Sequence, residues 1–150
     1  MSYFSPHHWY NNPITDHSLL SDAQFESLFE QGDLPPSLFD HEAHLRLAWL
    51  YIRKYGEKRA VDKTCVEIRQ FDKLHGKGDK FNTTVTIAAV KTVKHFMQKS
   101  DSEDFYGFIK EFPRLKYAFK ALLDQHYGVD IFSSESARAS YLEPDILPFE

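Results

Sequence analysis

A single cysteine, Cys65, stands in the 150 residues, so no intramolecular disulfide framework can form and a reducing compartment suits the chain. Positive charge is also in short supply: 18 Lys and Arg face 22 Asp and Glu, for a net charge of −4. Nucleic-acid binding needs a basic face that neutralises phosphates, and no local run of Lys and Arg provides one. No apolar run approaches the length of a membrane span. The opening "MSYFSPHHWYNNP" lacks the basic start and apolar run of a signal peptide. Nucleic acid and membrane are therefore not expected partners, and the expected location is cytoplasmic.

Several catalytic signatures are missing too. There is no G-x-S-x-G nucleophile elbow, and the lone cysteine has no activating context. "HGKGDK" holds two glycines and two lysines without the spacing of a phosphate-binding loop. No internal repeat or low-complexity segment is present.

What remains is ordinary for a globular protein: 42% hydrophobic and 27% charged residues. Aromatics are plentiful, at 13 Phe and 8 Tyr. Such an excess serves a homodimer interface as readily as a core.

Residues 1–20 have no hydrophobic period and read as an extended N-terminal arm, which Trp9 and Tyr10 would lay against the body. Residues 21–150 read as one helical domain with an irregular tail. Ser21 and Gln24 form a capping box, and Gly32 ends that helix. Pro35 and Pro36 make a rigid link to Asp40, the N-cap of a helix that closes at Gly56. A second long helix runs from Glu57 to His75 and a third from Asn82 to about Lys99. The β-branched "TTVTI" could open a strand, but "AAVKTVKHFM" after it favours helix. Further helices are expected from Ser102 to Glu111, from Pro113 towards Gly128, and within "SSESARASYL". The fold class is all-α, a single-domain bundle of about six or seven unequal helices.

Polar residues interrupt the buried stripes. On the first long helix, Leu45, Ala48 and Ile52 mark the core side; His41 falls in line with them and His44 slightly to one side. Glu42, Arg46 and Arg53 fall on the opposite, solvent side. His75 extends the Val61, Thr64, Ile68, Phe71 stripe of the second helix. Asn82 and Thr86 lie on the Val85, Ala89, Val93, Phe96 stripe of the third. An up-and-down arrangement would gather His41, His44, His75, Asn82 and Thr86 at one end. Buried polar groups need partners or a ligand, so a pocket for a small polar molecule is the leading reading, with His44 as acid or base.

Two other readings stay open. His41 and His44, one turn apart, could chelate a divalent transition metal with His75 and Asp72. The stretch is not H-E-x-x-H, however, and no E-x-x-H pair marks a dinuclear site. Alternatively, the chain is an interaction module without a small-molecule site. Structural roles also fit: Asn82 as N-cap, and His41 and His44 as packing and capping residues.

"FDHEAHLRLAWLYIRKYG", "DKFNTTVTIAA" and "SSESARASYLEPD" together resemble an uncharacterised family of small bacterial proteins. Its pattern is F-x-H-x-x-H-x-R-x-A-W followed by K-[YF]-H-x-T-x-T, covering roughly residues 38–147. Phe39, His41, His44, Arg46, Ala48, Trp49, Lys80, Phe81, Thr84 and Thr86 match it. Asn82 stands where the pattern has His, which weakens the metal reading and leaves a hydrogen-bonding pocket intact. The resemblance implies a site without naming an activity.

Overall fold

The computed structural model describes residues 14–149, and these are all helix and loop. The α-helices are α1 (Asp22–Gln31), α2 (His41–Tyr55), α3 (Glu57–His75), α4 (Thr83–Met97), α5 (Phe105–Glu111), α6 (Arg114–Tyr117), α7 (Phe119–Asp124) and α8 (Glu135–Ala139), with 3₁₀ turns at His17–Leu19 and Pro36–Leu38. The all-α fold is as expected. The count among the described residues is eight because the stretch after Pro113 breaks at Ala118 into α6 and α7. None of the described helices is long and apolar enough to cross a membrane.

Local chemistry sets most boundaries. Ser21 and Gln24 close a reciprocal capping box, and Gly32 ends α1 at φ +79°, a left-handed turn that favours glycine. Asp40 accepts from the Ala43 amide and Asn82 from the Val85 amide, starting α2 and α4. The expected start at Ser102 falls two residues early: Asp104 is the cap of α5, accepting from Gly107 at 2.6 Å.

Helices α2, α3 and α4 pack on one another and form the frame. The turn at Gly56 folds α3 back along α2, so Phe71 of α3 meets Phe39 just before α2, with ring centroids 5.0 Å apart. The loop to α4 reverses direction again, and Lys91 and Lys94 of α4 pair with Glu57 at the start of α3. The larger core holds Phe25, Phe29, Leu45, Leu47, Trp49, Phe105, Phe108 and Leu115. A smaller one, around Ala88, Leu123, Tyr127, Ile131 and Ala137, covers another side of α4, and Phe119 touches both.

The extended arm expected over residues 1–20 needs correction where it is described. Residues 14–20 form a turn against the body, with His17 wholly buried and Leu20 in the core. Trp9 and Tyr10 lie outside the described residues.

Candidate functional site

A cavity of about 340 Å³ opens between the three long helices. That is near the lower end of the range for small-molecule pockets. The start of α2 contributes His41, His44, Leu45 and Ala48, and α3 contributes Thr64 and Ile68. The first half of α4 adds Val85, Thr86, Ala89 and Val90, while Phe39, Asp40 and Phe119 complete the wall. Most of that lining is apolar, and its polar groups are few and separately placed.

His44 is held on two sides. Its ring stacks on Phe39 with centroids 3.8 Å apart. Its Nδ1 lies 2.8 Å from the Asp40 backbone carbonyl. A carbonyl only accepts, so Nδ1 carries the proton and donates it. Burial pushes the His44 pKa below its ordinary value; the Asp40 carbonyl opposes this, and nearby His41 reinforces it. The neutral ring then leaves Nε2 with a lone pair, and no described residue occupies it.

His41 is placed differently. Its Nε2 donates to the Leu115 carbonyl at 2.9 Å, and its ring lies 4.8 Å from that of Phe119. It ties α2 to the α6–α7 segment while presenting one edge to the cavity. Opposite, on α3, Thr64 is only 2% exposed and its hydroxyl has no hydrogen-bond partner among the described residues. An unpaired buried hydroxyl costs free energy, and this one belongs to a residue of the cavity wall. In the sequence Thr64 belongs to a core stripe, and a lone threonine among Val61, Ile68 and Phe71 is the one signal that marks it.

Of the five residues expected to converge, His41, His44 and Thr86 line this cavity and two do not. Helix α3 is longer than α2, and the turn at Gly56 already sets Ile68 beside His44. His75, seven residues further along α3, therefore overshoots by about two turns, roughly 10 Å. It is exposed, its Nε2 bonds to the Gly32 carbonyl at 2.8 Å, and it shares only an outer groove with His44. Asn82 spends both ends of its amide on structure: the oxygen caps α4, and the nitrogen donates to the Ile131 carbonyl at 2.9 Å.

The metal set His41, His44, His75 and Asp72 is likewise not assembled. The Asp72 carboxylate accepts from the Lys80 and Phe81 amides at 2.8 and 3.0 Å, fastening the loop before α4. Among the described residues, the only three potential ligands within 4.8 Å of one another are Asp16, His17 and Glu42. Their atoms already have partners. His17 Nε2 donates to Glu42 at 2.9 Å, Nδ1 faces the Arg46 guanidinium at 3.2 Å, and Lys116 pairs with Glu42 at 3.0 Å. Two cations beside the trio oppose a third positive charge.

Arg46 overturns the wheel assignment. Expected on the solvent side, it is 2% exposed. It donates to the carbonyls of His17 and Leu20 at 2.8 Å each and to Asp22 at 2.9 Å, and it lies 4.7 Å from the Phe25 ring centroid. Glu42 is half-buried beside it, and only Arg53 of the three lies exposed. Residues 14–22 cover the face that the wheel gave to water. No protein-family model, curated protein or solved structure matches this chain.

Proposed function

We propose that the chain binds a small molecule with an apolar body and a hydrogen-bond donor in the cavity between α2, α3 and α4. The observation that carries this reading is His44: its Nδ1 proton is committed to Asp40, its pKa is lowered by burial, and no described residue occupies Nε2. Such a nitrogen accepts a hydrogen bond at neutral pH, and it takes a proton if the donor is acidic, which is the acid–base role open to it. Thr64 adds a second unpaired polar atom, and the apolar remainder of the wall selects the body of the ligand. A cytoplasmic setting near neutral pH goes with this reading. No observation favours the metal reading over it, because the histidines do not meet a third ligand.

Phenol and toluene test the proposal, since they are alike in shape and differ in one donor. Amide shifts of Val85, Thr86 and Ala89 are followed by NMR during titration of each. Phenol is expected to bind about three- to tenfold more tightly, the worth of one hydrogen bond. His44→Phe keeps a ring against Phe39 and removes the acceptor, so the preference should vanish while the circular dichroism spectrum is retained. Equal affinities in the wild type, or no saturable shift at these residues, would overturn the proposal.

A further inference from the structure

A second cavity lies at the other end of α4, independent of the first. It measures about 310 Å³. Thr92, His95 and Phe96 of α4 line it, with Lys99 just beyond, Arg114 at the start of α6 and Gln125 after α7. The segment Leu147–Phe149 forms one wall. That wall is fastened: His126 Nδ1 donates to the Leu147 carbonyl at 2.6 Å, and its ring stacks on Phe149 with centroids 4.0 Å apart. Asp145 accepts from the Gly128 amide at 2.8 Å, an approach that a side chain at 128 would crowd.

Among the described residues the charge in this cavity is one-sided, and its lining has no carboxylate. The Arg114 guanidinium and Lys99 ammonium lie 5.7 and 5.9 Å from the centroid of the same Phe96 ring. Neither makes an ion pair among the described residues, although Lys91 and Lys94 on the same helix both pair with Glu57. Glu111 is engaged by the Ser100 hydroxyl at 2.5 Å. The carbonyls at the end of α4 offset part of the Lys99 charge, but Arg114 belongs to another element and has no such offset. At the base, Thr92 is 5% exposed and its hydroxyl has no hydrogen-bond partner among the described residues.

We propose that this cavity is a binding site for a small organic oxyanion, a carboxylate or phosphate monoester on an apolar body. Arg114 and Lys99 hold the oxyanion, Thr92 meets a polar atom at the base, and the apolar part rests between Phe96 and Leu122. Two cations over a shared ring and a buried hydroxyl, all without partners among the described residues, together with an apolar floor match that chemistry better than a bare ion or a neutral molecule.

The full chain is titrated by NMR with phenyl phosphate, benzoate, benzyl alcohol and inorganic phosphate. Saturable shifts of the Thr92, His95 and Phe96 amides are expected with phenyl phosphate or benzoate, and the tighter of the two identifies the head group. Benzyl alcohol, which lacks the charge, and inorganic phosphate, which lacks the body, should each bind about tenfold more weakly or worse. Arg114→Gln should weaken the anion about tenfold, whereas Lys94→Gln, at a paired lysine, should leave it unchanged. Thr92→Val should melt at a higher temperature yet bind the anion less well, separating ligand contact from folding. Three results overturn the proposal: no saturation below about 10 mM, equal binding of benzyl alcohol or inorganic phosphate, or an Arg114→Gln variant that binds like the wild type. Shifts confined to Val85 and Thr86 would also count against it, since they report the first cavity.

Discussion

Polar side chains flank helix α2 on two faces, and the faces differ in how their hydrogen bonds are filled. Towards residues 14–22, Arg46 donates to two carbonyls and a carboxylate, while His17 is engaged at both ring nitrogens. Towards the cavity, among the described residues, His44 Nε2 has no partner, and across from it on α3 the Thr64 hydroxyl has none. Burial alone does not separate the two, since Arg46 and Thr64 are each 2% exposed. Satisfaction does. A saturated polar cluster is a fastening, because its groups have nothing left to offer a ligand, and an unsaturated one is a candidate site.

The largest test of this contrast is Arg46→Met. It keeps much of the side-chain volume but strands the carbonyls of His17 and Leu20, and it should cost about 3 kcal/mol, read as a lower urea midpoint. A loss under about 1 kcal/mol would mean that residues 14–22 are not a fastening.

On the cavity face the expected effects are smaller. His44 has a folded-state pKa below the ordinary 6.5. The unfolded chain therefore binds the proton more readily, and His44 subtracts stability as pH falls from about 6.5 through its folded value. Above 6.5 the contribution disappears. His44→Phe should accordingly flatten the acid limb of the stability–pH curve in that window, and unchanged limbs would show that His44 titrates as it does in the unfolded chain.

Thr64→Val should have the smallest effect and the opposite sign. Removing an unpaired hydroxyl without changing shape should raise stability by about 0.5–1 kcal/mol in denaturant titrations. Destabilisation instead would reveal that the hydroxyl has a partner and that the two faces of α2 are alike.

These residues also mark how far the sequence could be read. The boundaries of α1, α2, α3 and α4 follow from Ser21, Gln24, Gly32, Asp40, Gly56 and Asn82, and His41, His44 and Thr86 emerge from helical spacing onto one cavity. Arg46 does not, because a wheel divides a helix into core and solvent sides and cannot anticipate that residues 14–22 cover the second. His75 misses the cavity for another reason: its stripe is right, but α3 carries it about two turns beyond the level of His44.

The sequence alone determined what is settled within a few residues. A cap is satisfied by an amide two or three positions away, and a stripe repeats with the helical period, so the type and boundaries of α1 to α4 were legible. Only the tertiary structure decided which polar groups are spent. The carbonyls that saturate Arg46 come from residues 17 and 20, and the one that holds His41 comes from Leu115. Whether Thr64 finds a partner depends on which atoms α2 and α4 bring near it. Those distances are set by helix length and packing, and no local pattern records them.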